Sequence, residues 1–97
     1  MRIYHAHPVT TYGTERERVE QEIIVKHFKG CTIVNPAYFA QMVDHGDTEF
    51  YLNLVDSCDV VVYSDIAGFL TAGVARKLKE HSRRVSLFIM SIGELVN

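Results

Sequence analysis

Asp59-Val60-Val61-Val62-Tyr63, residues 59–63, is the stretch that decides the fold. Three consecutive valines suit a strand that is buried on both faces, as in a parallel sheet covered by helices. Helical segments alternate with strand candidates on either side of this stretch, which indicates parallel strands joined by right-handed crossovers. The sequence therefore predicts a three-layer, Rossmann-like α/β fold with a four-stranded parallel sheet of order 2-1-3-4.

Capping residues mark the helices that should cover this sheet. The other strands are predicted at 2–6, 31–34 and 85–90. Thr14 can cap the first helix, with Glu17 in the capping-box position, and Gly30 ends it. Its predicted apolar face contains Val19, Ile23, Ile24 and Phe28.

Two later helices begin at recognisable caps, and a third follows the loop after the third strand. Asn35-Pro36 predicts a short helix that reaches about Val43. Asp47 or Thr48 can cap the next helix, whose apolar face is Tyr51, Leu54, Val55 and Cys58. A helix is predicted over 70–81, after a loop at 64–69, and the tail predicts a last half-turn.

Length and charge limit the classes of protein that this chain can belong to. The 97 residues suffice for one small domain, 1–97. A net charge of −2 argues against nucleic-acid binding, which needs a basic patch. No stretch approaches the roughly 20 apolar residues of a membrane span, and the N-terminus lacks the apolar run of a signal peptide. We therefore expect a cytoplasmic protein without a membrane partner.

A chain this short buries little surface, so a homodimer is expected. The apolar residues that we expect to lie partly exposed near the contact are Phe50, Tyr51, Phe69 and Leu70. The two cysteines, Cys31 and Cys58, lack CxxC spacing and are predicted to be free, buried thiols.

The carboxyl end of the first strand carries two histidines, His5 and His7. Alternation along a strand places both side chains on one face. A metal would need a third ligand, such as His45 or Asp65, and no metal is predicted. Contact with a ligand or packing is the expected role of both histidines. Tyr4 is expected in the core or against the ligand.

The loop after the third strand carries further candidates. Gly68, Thr71 and Gly73 bring small residues and a hydroxyl to the start of the helix at 70–81, where N–H groups favour a phosphate. A turn and a helix cap would explain the same residues. Asp65 suits either a ribose hydroxyl or a turn. No GxGxxG or GxxxxGK[ST] motif occurs, so no cofactor is predicted.

Three segments together resemble the nucleoside 2-deoxyribosyltransferase family. They are RIYHAHP at 2–8, CTIVNPAYF at 31–39 and LVDSCDVVVYSDIAGFLTAGVARKLKEH at 54–81. The resemblance implies a flavodoxin-like sheet and a pocket for a nucleoside or nucleotide. In that family a glutamate in the helix after the third strand attacks the sugar. The corresponding position here is Lys77, and an amine does not replace a carboxylate in that role.

The resemblance leaves three hypotheses. The first is a binding protein that holds a nucleoside or nucleotide without cleaving it, using Lys77, the 68–73 loop, Asp65 and the histidine loop. The second is an active N-glycosidase or deoxyribosyltransferase in which Glu80 or Asp65 is the catalytic carboxylate. The third is a small dimeric interaction protein with a vestigial pocket.

Overall fold

The computed structural model of the chain describes residues 1–44, 46–65 and 87–96. Its four strands form one parallel sheet in the order β2-β1-β3-β4, which confirms the predicted fold class and strand order. The strands are β1 (Arg2–Ala6), β2 (Thr32–Val34), β3 (Val60–Tyr63) and β4 (Phe88–Ser91). The described helices are α1 (Glu15–His27), α2 (Thr48–Asp56) and α3 (Ile92–Val96), with 3-10 helices at Val9–Thr11 and Pro36–Phe39.

The predicted caps form, with one shift in register. The Thr14 side chain accepts from the Glu17 amide, and the Asp47 side chain accepts from the Phe50 amide. Glu17 returns its own side chain to the amide of Gly13 instead of Thr14, at 3.2 Å. Gly30 follows α1 with a φ of +79°, a left-handed conformation that glycine adopts without strain.

Alternating side chains of the sheet divide the core between two helical layers. One cluster packs under α1 and α3 and contains Ile3, Ile24, Val60, Val62 and Ile92. The other packs against α2 and contains Tyr4, Ala6, Val34, Val55, Cys58, Val61 and Leu87. The three valines of β3 therefore serve both layers, as their consecutive spacing predicts.

Three local predictions are wrong. The segment after Asn35 forms only the short 3-10 helix Pro36–Phe39, and no α-helix to Val43. Val19 is 36% exposed, and Glu20 takes its place on the buried face of α1. In the final strand, Leu87 precedes β4, which begins at Phe88 and extends to Ser91. The predicted last half-turn is the helix α3.

Several predictions lie outside the described residues. They concern His45, the helix at 70–81 and the beginning of the strand predicted at 85–90. The site candidates Gly68, Thr71, Gly73, Lys77 and Glu80 fall in the same segment, as do Phe69 and Leu70 of the predicted contact.

The topology determines where a ligand would lie. From β1 the chain crosses to β2 on one side and then returns to β3 on the other, so the strand order reverses between β1 and β3. In parallel α/β sheets, ligands bind outside the carboxyl ends of the strands at this reversal. His7, Asn35 and Ser64 each follow the carboxyl end of a strand and therefore lie at this edge of the sheet.

Candidate functional site at the carboxyl ends of the strands

A buried histidine–glutamate pair joins β1 to α1; we call His5 and Glu20 the inner pair. The His5 Nε2 and Glu20 Oε1 atoms are 2.9 Å apart. The side chains are 0% and 1% exposed. Burying a charge is costly unless it is paired and hydrogen-bonded, so the remaining contacts of this carboxylate are decisive.

Two further donors meet the Glu20 carboxylate. Arg16 Nε, one turn earlier in α1, donates to Oε2 at 2.8 Å. Ser64 Oγ, directly after β3, donates to the same oxygen at 2.6 Å. The carboxylate therefore links β1, α1 and the end of β3, and the network determines how these three elements meet.

The network keeps the inner pair in a defined protonation state. Burial by itself raises the pKa of Glu20, but the hydrogen bonds from His5, Ser64 and Arg16 outweigh it and lower the pKa to about 2. Burial lowers the pKa of His5, against the opposing hydrogen bond to Glu20. His5 is thus a neutral imidazole that donates through Nε2. Its buried Nδ1 has no hydrogen-bond partner among the described residues.

A second histidine–glutamate pair lies nearer the solvent; we call His7 and Glu17 the outer pair. His7 Nδ1 donates to the carbonyl oxygen of His5 at 2.8 Å. His7 Nε2 and Glu17 Oε2 are 2.7 Å apart. The His7 side chain is 0% exposed and that of Glu17 is 15% exposed. Since both ring nitrogens face oxygen acceptors, the fully hydrogen-bonded form of His7 is the imidazolium.

Glu17 is held as an anion by its surroundings. Burial would raise its pKa, but hydrogen bonds from His7 and the amide of Gly13, together with the nearby Asn35 amide, lower it. Asn35 is fully buried, and its Oδ1 accepts from the amide of Ala37 at 2.8 Å. The other end of this amide, Nδ2, faces Glu17 and helps to lower its pKa.

Aromatic stacking couples the two pairs. The His5 and His7 rings lie 3.9 Å apart at an interplanar angle of 13°. Tyr12 lies 4.8 Å from the His7 ring, and burial together with Tyr51 and Glu17 raises its pKa to about 12. The phenol is therefore neutral at physiological pH and adds an aromatic surface beside the outer pair.

Tyr4 and Asp65, both predicted from the sequence, make contacts different from those of the two pairs. Tyr4 is 5% exposed and packs in the core on the α2 face, with a raised pKa caused first by burial. The exposed Asp65 accepts from the amide of Gly93 at 2.8 Å. A Cβ on Gly93 would lie 2.5 Å from the Asp65 Oδ2 atom. Asp65 therefore helps to fix the start of α3.

The sequence analysis identified the histidines and missed their partners. It treated Glu17 as a capping residue and gave no role in a site to Arg16, Glu20 or Ser64. The sequence does contain a signal for Glu20. It lies four residues before the buried Ile24, and so on the same face of the helix. A carboxylate on an apolar face indicates a buried partner.

The described residues form neither a metal cluster nor a membrane-spanning helix. No group of three or more metal-ligating side chains occurs in the described parts of the chain. None of the described helices is long and apolar enough to cross a bilayer.

No protein-family model, curated protein or solved structure matches the chain. The family resemblance therefore stays a prediction, and the functional argument rests on the geometry of the site.

Proposed function

We propose that this protein binds a nucleoside or nucleotide at the carboxyl edge of its sheet and does not cleave it. The observation that carries the proposal is the outer pair, a partly exposed, charged cluster at the end of β1 where the strand order reverses. Fixed charges at this edge are typical of ligand sites in parallel α/β sheets.

The described residues supply two of the properties that a nucleoside requires. The half-buried Tyr12, beside the outer pair, offers aromatic surface for a base. The Glu17 carboxylate offers an acceptor for sugar hydroxyls. The phosphate would be bound by Gly68, Thr71, Gly73 and Lys77, a prediction that concerns residues outside the described part of the chain.

Binding without cleavage is favoured over the enzymatic alternative because the carboxylates of Glu17 and Glu20 are already engaged in hydrogen bonds. Glycosidic cleavage by a covalent route needs a carboxylate that is open to the anomeric carbon. Glu20 already accepts from three side chains and is 1% exposed. Glu17 is engaged by His7 and Gly13. The enzymatic alternative then depends on Glu80 or on Asp65, which caps Gly93.

The proposal extends to assembly and compartment. Neither cysteine is joined in a disulfide, in keeping with a reducing cytoplasm; Cys58 is buried as predicted, whereas Cys31 is only half-buried. A homodimer remains the expected assembly, and sedimentation at micromolar concentration would test it. Phe50 and Tyr51 are half-buried against each other in ring contact, so Tyr38 and Met42, 62% and 75% exposed, are better placed for such a contact.

Calorimetry with the four deoxynucleoside 5′-monophosphates and the corresponding deoxynucleosides tests the binding proposal. We expect binding by wild type, weakening of roughly tenfold in His7→Ala, and no change in His27→Ala, the matched exposed histidine. Lys77→Glu should weaken the monophosphates more than the nucleosides. Failure of every ligand to bind at millimolar concentration overturns the proposal.

Chromatographic detection of free base separates binding from catalysis. Wild type should release none from deoxynucleosides or their monophosphates. Clear release that is lost in Glu80→Gln would replace the binding function with the enzymatic one.

A further inference from the structure

The outer side of β2 presents backbone groups that have no partner in the described sheet, where β2 is an edge strand. The Thr32 amide donates to the carbonyl oxygen of Met1 at 2.9 Å, so the backbone groups of Thr32 face β1. Because these groups alternate in direction along a strand, the N–H and C=O of Ile33 both point away from the sheet. An edge of this kind is a template for pairing with a further strand.

The groups on either side of Ile33 make this edge complementary to a copy of itself. The C=O of Cys31 and the N–H of Asn35 point outward with those of Ile33. The opposite groups of these two residues are already used within the chain. The Cys31 amide donates to the Phe28 carbonyl at 3.1 Å, and the Tyr38 amide donates to the Asn35 carbonyl at 3.0 Å. A two-fold axis beside Ile33 therefore matches every outward donor with an outward acceptor.

The exposed face of α1 beside this edge carries charges that complement a reversed copy of the helix. A groove of about 520 Å³ lies between α1 and β2. Its lining is Arg18, Gln21, Glu22, Val25, Lys26 and Ile33. The first turn of α1 is acidic and includes Glu15, whereas the last turn is basic and includes Lys26. The two residues are 11 positions apart, about three turns, and so lie on one face. Two such helices placed antiparallel bring Lys26 of each copy towards Glu15 of the other.

We propose that two copies of this chain pair antiparallel through their β2 edges, so that the two sheets become one and the two α1 helices lie side by side. The inference goes beyond nucleotide binding and gives the expected homodimer its geometry. A two-fold contact of this kind uses the same surface on both subunits. It also covers Val25, which is 49% exposed in the single chain. Asn35 would hold Glu17 with its side chain and the second copy with its backbone, so the contact borders each candidate site.

Sedimentation equilibrium of Ile33→Pro tests the backbone pairing. Proline removes the outward N–H and leaves the bonds from Thr32 and Val34 to β1 in place, and edge strands accept it where the N–H faces solvent. Both copies lose a hydrogen bond, so the dimer dissociation constant should rise roughly tenfold or more. Circular dichroism checks that the variant stays folded. Phe88→Ser is the matched control, since Phe88 is 69% exposed on β4 at the opposite edge of the described sheet.

Charge reversal tests the helix contact without altering the sheet. Lys26→Glu places like charges opposite each other in both halves of the dimer, so the dissociation constant should rise roughly fivefold. Adding Glu15→Lys to the same chain restores opposite charges across the two-fold axis, and the affinity should return to within about twofold of wild type. The single variants should differ less from wild type in high salt.

Each outcome decides between the proposals. A wild type that stays monomeric at micromolar concentration overturns this inference and the homodimer, and leaves the binding function standing. A dimer that tolerates Ile33→Pro, or that dissociates in Phe88→Ser, forms through another surface and also overturns the inference. If Ile33→Pro does not fold, the charge variants decide, and a double variant no tighter than Lys26→Glu alone overturns it. A wild-type dimer that binds no nucleotide overturns the binding function only.

Discussion

The inner and outer pairs each consist of a histidine and a glutamate, but their surroundings differ. His5 lies on β1 and His7 directly follows it, two residues on, and the glutamates are three apart on α1. The order is reversed because the helix runs back along the strand. The inner pair is sealed, and its glutamate meets three side-chain donors. The outer pair leaves its carboxylate partly exposed. The two pairs therefore differ chiefly in how deeply their glutamates are buried, 1% exposed for Glu20 and 15% for Glu17.

The largest expected difference between the pairs is in stability. Glu20→Ala removes the acceptor shared by His5, Arg16 and Ser64 and should lower the free energy of unfolding by about 3–5 kcal/mol. Urea denaturation followed by circular dichroism measures it. Glu22→Ala, whose partner Arg18 is exposed, should change it by less than about 0.5 kcal/mol. A loss below about 1 kcal/mol in Glu20→Ala would contradict the structural role of the inner pair.

Acidification should destabilise the protein through the same pair. The pKa of His5 is lowered in the folded protein, so the unfolded chain takes up this proton first on acidification. Stability therefore begins to fall as the pH drops below 6.5, the ordinary pKa of histidine. Glu20 adds a second loss between its ordinary pKa of 4.5 and about 2. The combined loss should be on the order of 2–3 kcal/mol. Urea midpoints measured from pH 7 to pH 3 test it, and stability that rises on acidification would contradict it.

Ser64→Ala should have an intermediate effect. It removes one donor from Glu20 and leaves His5 and Arg16 in place, so we expect a loss of about 1–2 kcal/mol. The carboxyl resonance of Glu20, followed by NMR titration, should move to a higher pKa. An unchanged titration would show that the hydroxyl does not stabilise the anion.

The smallest change in stability is expected for the outer pair. Glu17→Gln keeps the side-chain size, and solvent can replace part of what the charge supplied, so the loss should be about 1 kcal/mol or less. The same denaturation assay, with Glu20→Gln beside it, makes the comparison direct. If Glu17→Gln is the more destabilising of the two, the outer pair is structural and the contrast fails.

The sheet could be predicted from local signals because they agree with the final packing. The valines of β3 and the caps at Thr14, Asn35 and Asp47 each act within a few residues. The 3-10 helix after Asn35 was not predictable, since its cap and Pro36 are compatible with either kind of helix.

The candidate site was only half predictable, for a physical reason. The HxH motif shows both histidines on one face of β1, a local property of a strand. Their partners come from α1 and from the end of β3, and only folding brings Ser64 to Glu20, 44 positions away. A charged residue is seldom buried, so Glu20 was not expected at a core position.

The stacked imidazoles also give the protein a built-in NMR probe of the local structure at the end of β1. Because the two rings lie face to face at 3.9 Å, each shields the carbon-bound protons of the other, which moves their NMR signals upfield. The Nε2 proton of His5, buried against a carboxylate, should exchange slowly enough with water to be seen downfield. Together these resonances would show whether the two rings stay stacked and the His5–Glu20 bond stays formed as conditions or ligands change. No label needs to be added to the chain.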